Sequence, residues 1–214
     1  MALNKLKFNS LNVTPSANEA IKFNSSANGF ETGSAGGSMK FISKATASSS
    51  STISITSGID STYKEYVFIF KDIHPGTDGS RLKFQADTGT NTNYNQTVTS
   101  LFFYVQQGES DDTLLAYGSG QHQVQGTGFQ DLSLNIDSDG NDSSLCGYLH
   151  VFNPSSSTFV KHFIGTTQCV GNGYYSFGNY SAGYFNTTTA ITRFQFKMSS
   201  GNIDSGTITL YGIN

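Results

Sequence analysis

The sequence predicts an all-β protein, a two-sheet antiparallel β-sandwich of jelly-roll type behind a short N-terminal arm. Three observations predict it. Ser, Thr, Asn and Gly make up 93 of the 214 residues, and these residues oppose helix interiors through competing local hydrogen bonds or backbone entropy. Charged residues are 13%, about half the roughly 25% of ordinary domains, so few exposed helix faces could be furnished. Short runs rich in Phe, Tyr, Val and Ile recur between clusters of turn residues, with no sustained helical period.

The arm comes first. Leu6-Lys7-Phe8-Asn9-Ser10 recurs as Ile21-Lys22-Phe23-Asn24-Ser25, and Gly29, Gly33, Gly36 and Gly37 follow. Two copies with a Gly-rich exit suggest two short strands within residues 1–40. Leu6, Phe8, Leu11, Ile21 and Phe23 are too few apolar side chains for an independent core. The arm is therefore expected to anchor the protein or to join subunits; a flexible terminus is the alternative.

Residues 41–214 are expected to form the sandwich. Its first strand signal already opens at Met39 and runs to Ala47, and Thr52–Thr56 follows. Tyr63–Phe70 contains Tyr66-Val67-Phe68-Ile69-Phe70, apolar on both faces, which describes a central strand covered on both sides. His74-Pro75-Gly76 stops it. Arg81–Ala86 alternates Leu82 and Phe84 with polar residues, and Gly89–Gln96 reads as a polar loop. Val98–Gln106 is again apolar on both faces through Leu101–Val105. Leu132, Leu134 and Ile136 alternate with Ser133 and Asn135 as a half-buried strand. Leu145–Phe152 and Phe159–Ile164 pair around Asn153–Ser156. Ile191–Met198 places Phe194, Phe196 and Met198 on one face, and Thr207–Ile213 closes the chain.

Between His162 and Thr192 no Asp, Glu, Lys or Arg occurs, yet seven aromatics do: Phe163, Tyr174, Tyr175, Phe177, Tyr180, Tyr184 and Phe185. Aromatics that can be buried usually are, so a solvated tail is a poor reading. The stretch is also too polar for a membrane span. It reads as core and contact surface, with Gly171–Gly173 as the place where a loop could meet a ligand. Tyr174, Tyr175 and Tyr180 are the candidate ligand contacts, since Tyr rings with Asn and Asp commonly grip sugars. The favoured stacking residue, Trp, is absent.

Other chemistry is sparse. The net charge is −3 with Lys and Arg scattered, so no nucleic-acid stripe and no membrane-inserting or polybasic segment is expected. The first residues carry no apolar run of signal-peptide length. Cys146 and Cys169 make no disulfide framework; they read as two buried free thiols, or as one bridge if their strands are neighbours. Asp137–Asp142 resembles a calcium loop, but an EF-hand needs Gly at the sixth position and Glu at the twelfth, where Asp142 and Tyr148 stand. A strand-connecting turn is the competing reading. His74, His122, His150 and His162 lack metal-ligand spacing, although His150 and His162 could be cross-strand neighbours. Asp72 and His74 lack a Gly-x-Ser-x-Gly partner, and Glu19, Glu31, Glu65 and Glu109 suggest no glycosidase pair. The expectation is no catalytic residues, no metal, no cofactor and no enzyme activity.

Several stretches resemble a group of small structural proteins of tailed bacteriophages, especially marine ones. They are residues 56–66 (Thr-Ser-Gly-Ile-Asp-Ser-Thr-Tyr-Lys-Glu-Tyr), 70–75 (Phe-Lys-Asp-Ile-His-Pro), 149–163, 182–187 and 200–208. The likeness covers most of the chain, including the arm. It implies a virion component made in the bacterial cytoplasm, with an arm that docks on the particle and a sandwich displayed outward. Head decoration or a short fibre is the expected role, with other virion proteins as partners and a homo-oligomer, most simply a trimer, burying aromatics of the charge-free segment. The alternative is a receptor-binding tail-fibre module that contacts a host surface glycan.

Overall fold

The computed structural model describes residues 13–14, 19–34, 38–139 and 142–213. The chain divides into two compact units, Met1–Ser38 and Met39–Asn214. In the first, strand β1 (Glu19–Phe23) pairs antiparallel with β2 (Phe30–Ser34). The connecting turn closes through Asn24 N–H to the Gly29 carbonyl at 3.0 Å and Ala27 N–H to the Asn24 carbonyl at 2.9 Å. Phe23 and Phe30 stack at 5.0 Å, and Lys22 meets Glu31 at 3.3 Å. The second repeat copy is thus a strand, and it pairs with the Gly-containing exit. Leu6, Phe8 and Leu11 lie outside the described residues.

The second unit is an antiparallel β-sandwich, with no helix among the described residues long and apolar enough to cross a membrane. Its strands are β3 (Met39–Thr46), β4 (Ile53–Ile55), β5 (Glu65–Pro75), β6 (Leu82–Thr88), β7 (Val98–Gly108), β8 (Thr113–Tyr117), β9 (Gln130–Asp131), β10 (Leu145–Phe152), β11 (Lys161–Gly171), β12 (Tyr175–Phe185), β13 (Ile191–Met198) and β14 (Ile203–Ile213). The large sheet has eight strands in the order β3-β14-β5-β10-β11-β12-β7-β8, and the small sheet four, β4-β13-β6-β9. The chain alternates between the sheets from β3 to β7 and crosses again around β9 and β13. This wrapping is jelly-roll-like, with sheets of unequal size.

Phenylalanines join the two sheets. Phe68 of β5 lies 5.0 Å from Phe194 and 5.1 Å from Phe196 of β13. Phe84 of β6 reaches Phe163 of β11 at 5.1 Å and Phe185 of β12 at 6.0 Å. All six are fully buried. Offset and edge contacts of this kind add to the gain from burying each ring. The alternation expected in β13 holds: Phe194, Phe196 and Met198 are buried while Gln195 and Lys197 are half-buried.

Three expectations need correction. Leu132–Ile136 is not a ladder strand. Leu132 N–H donates to the Leu82 carbonyl at 2.8 Å and Ile136 N–H to the Ser80 carbonyl at 2.9 Å, toward the small sheet. The Leu132 carbonyl instead accepts from Thr167 Oγ1 at 2.6 Å, and Leu134 N–H donates to Asn179 Oδ1 at 3.0 Å, toward the large sheet. Ser133, expected outside, is fully buried and accepts from Leu82 N–H at 2.9 Å. Side chains replace a backbone partner because the segment bridges the two sheets. Secondly, β7 is covered on one face only: Phe102 is buried while Leu101, Phe103 and Val105 are exposed. Thirdly, the pair of buried thiols is wrong for Cys146, which is exposed.

Candidate functional site

The charge-free segment folds into one long hairpin. Strands β11 and β12 pair over their full lengths, from Lys161 opposite Phe185 to Gly171 opposite Tyr175. The turn is Asn172-Gly173-Tyr174, with φ of +81° at Gly173 and +62° at Tyr174. Gly adopts that region freely, whereas a tyrosine held there carries backbone strain. Tyr174 is 70% exposed at the tip. Asn172 holds the turn by donating Nδ2–H to Asp78 Oδ2 at 2.7 Å.

Tyr174 stands at the mouth of a cavity of about 500 Å³ that Glu109, Asp137, Asp139, Asp142 and Asn172 also line. Asp78, Asp137 and Asp139 each bring an oxygen within 4.8 Å of the others, so these three could hold a hard cation. Their oxygens also serve the turn. Asp78 Oδ1 accepts from Ser138 N–H at 3.2 Å, and Asp137 Oδ1 from Asp139 N–H at 2.8 Å. The Ser138 amide, followed by Asn172, holds the Asp78 carboxyl below its usual value. Gly140 and Asn141 of this loop lie outside the described residues.

The three candidate tyrosines do not converge. Tyr174 is at the tip. Tyr175 turns inward beside Phe177, with ring centroids 5.9 Å apart. Tyr180 lies in mid-strand on the outer face of the large sheet, stacked on Phe103 at 4.8 Å. Odd separations along a strand point to opposite faces, which separates Tyr175 from Tyr180, while Tyr174 stands in the turn.

That outer face was missed in the sequence. Across it Leu101 pairs with Ala182, Ala182 with Ile164, and Ile164 with His150. Beside this row Tyr117 pairs with Phe103, Phe103 with Tyr180, and Tyr180 with Thr166. Leu101, Phe103, Val105, Leu115, Tyr117, Tyr148 and Ile164 are all at least 36% exposed. A shallow apolar groove of about 550 Å³ runs past Leu101, His162, Ile164, Ala182 and Tyr184. The five strands β7, β8, β10, β11 and β12 contain a single charged residue, Lys161, and it points inward. Its ammonium donates to the carbonyls of Ser156 at 2.6 Å, Phe159 at 2.8 Å and Thr187 at 3.1 Å. Burial lowers its pKa.

The histidines serve separate places. His74 Nδ1 bonds the Ser143 carbonyl at 2.6 Å, whereas Asp72 is exposed and bulged at a φ of +52°. The two do not form a dyad with each other. His150 bonds Glu65 and pairs with Ile164, leaving His162 on the same face opposite Tyr184.

No family model and no curated protein matches the chain. Two solved structures that match are the crystal structure of the infectious bursal disease virus VP2 subviral particle and the structure of the infectious bursal disease virus Gx strain. The chain is 11% identical to the first over 91% of its own length and 46% of that chain, with a TM-score of 0.16. It is 12% identical to the second over 91% and 45%, also at 0.16. It spans less than half of either chain.

Proposed function

We propose that this chain is a non-enzymatic structural protein of a tailed-phage virion, displayed on the particle surface as head decoration or a short fibre. The N-terminal unit attaches it, the sandwich is the displayed body, and several copies associate, most simply as a trimer. The observation that carries the reading is the outer face of the large sheet, rich in exposed apolar side chains and free of formal charge over five strands. Such a face suits contact with other chains more than a soluble solitary existence. The resemblance of residues 56–66, 149–163 and 200–208 to phage structural proteins supports the same reading. Purified particles imaged with a label on the C-terminus test it. A label at regular sites on the head or tail, lost when residues 1–38 are deleted, is the expected result. A chain absent from the particles defeats the proposal.

A second reading is favoured by the hairpin tip. Tyr174 is exposed at the mouth of a cavity lined by carboxylates and Asn172, groups that suit sugar hydroxyls. On this reading the chain is a receptor-binding module and Tyr174→Ala abolishes adsorption to the host. Under the decoration reading adsorption is unchanged.

A further inference from the structure

We infer that the outer face formed by β10, β11, β12, β7 and β8 is a self-association surface, and that its occupant is the same face of a second copy of this chain. The inference rests on the homo-oligomer part of the proposed function; a face closed on its own copy is a two-fold contact, so it joins copies in pairs rather than around a three-fold axis.

Size is the first argument. Five strands about 4.8 Å apart and some eight paired residues about 3.3 Å apart span roughly 24 by 26 Å, on the order of 600 Å² in projection. Pleated side chains add to that, so the face is comparable with the about 800 Å² per partner of a standard stable interface.

Charge is the second. Two identical faces must accept each other's charges at short range, and like charges in contact cost several kcal/mol. Outward positions here include Tyr148 and His150 on β10, Ile164 and Thr166 on β11, Tyr180 on β12 and Leu101 on β7. None is Asp, Glu, Lys or Arg; the carboxylates of Glu65 and Asp72 stand at the β5 border, where they meet His150 and Cys146. A neutral face complements itself, whereas a strongly charged partner would have to desolvate its ions against it unpaired. The remainder of the large sheet is unsuited, because β5, β14 and β3 carry Lys71, Asp72, Asp204 and Lys44 at exposed positions.

The sheet edge is the third. Strand β8 ends the large sheet with Thr-Leu-Leu-Ala-Tyr, and Leu115 is 71% exposed. Edges of solitary sheets are commonly guarded by charged side chains or Pro, and this strand has neither. A second copy lying over the face would cover Leu115 and Tyr117.

Sedimentation velocity of the purified full chain over a concentration series tests the inference, with wild type beside Leu101→Glu and Ile164→Lys. The expected result is association of the wild type and a shift of both variants to the monomer mass with unchanged far-UV circular dichroism. Variants that associate as the wild type does overturn the assignment of this face and leave the homo-oligomer reading standing. A wild type that stays monomeric at every concentration overturns both, whether or not a different virion protein then binds the face. Should the charged variants fail to fold, Ala182→Cys in a Cys146→Ser background reads the same surface. Loss of maleimide labelling on association supports the face, and equal labelling of associated and dilute protein overturns it.

Discussion

Cys146 and Cys169 lie on neighbouring strands and point to opposite faces of the same sheet. Leu145 is the residue opposite Cys169, and Cys146 is opposite Gln168. A one-residue offset is enough to reverse the face, because side chains alternate with a period of two. No bridge forms, although the strands are adjacent as a bridge would need. Maleimide should therefore label one thiol per native chain in dilute protein and two after denaturation. Burial pushes the Cys169 thiol up from 9.0 to about 12. The folded state then holds its proton more tightly than the unfolded state, so this contribution to stability is full below the unfolded value and fades as pH rises from about 9 toward about 12. The stability gap between wild type and Cys169→Ala should narrow over that window, as followed by urea titration.

Lys161 is 0% exposed and ties three carbonyls of two loops together. Lys161→Met keeps the length of the side chain and removes the donors. The expected loss is about 2–3 kcal/mol, the scale of a hydrogen bond made by a charged group. A variant as stable as wild type in urea would mean that water replaces the ammonium.

Phe84 touches rings of both sheets, at Phe163, Phe185, Phe194 and Phe196. Phe84→Ala should destabilise the sandwich by about 3–5 kcal/mol through lost transfer energy and the cavity left behind. Leu115→Ala, at an exposed edge position, should stay within about 0.5 kcal/mol in the dilute protein.

Tyr174 holds a left-handed backbone without burying its ring. Tyr174→Gly removes the clash of the side chain with its own backbone and should raise stability by about 1 kcal/mol. A fall in the thermal midpoint would show that the ring makes stabilising contacts at the tip.

The sandwich is legible in the sequence where burial is one-sided or complete. Strand β13 alternates cleanly, and β5 is buried at Tyr66, Val67, Phe68 and Phe70, on both faces. The same apolar run in β7 means something else. Leu101, Phe103 and Val105 resemble core in a one-dimensional pattern, but no second layer covers them. Strand β12 hides its period because Gly178, Ser181 and Gly183 occupy strand positions that usually favour turns. Gly183 is needed there, since a Cβ would press on the Thr99 carbonyl and lie 2.8 Å from Ser100 Cα. The segment from Leu132 to Ile136 misleads for a third reason. Its hydrogen bonds go to Thr167 and Asn179, more than thirty residues away, and no local pattern announces them. The tyrosines of the candidate site share a stretch of sequence, but the pleat distributes them over three surfaces.

The absence of charge on the outer face of five strands also bears on the rate at which anything can dock there. Long-range electrostatic guidance needs fields, and this face supplies almost none. Encounters on it proceed at the unguided pace of about 10⁵–10⁶ M⁻¹s⁻¹ and respond little to ionic strength. Local abundance of the chain, more than salt, sets how fast that surface is covered.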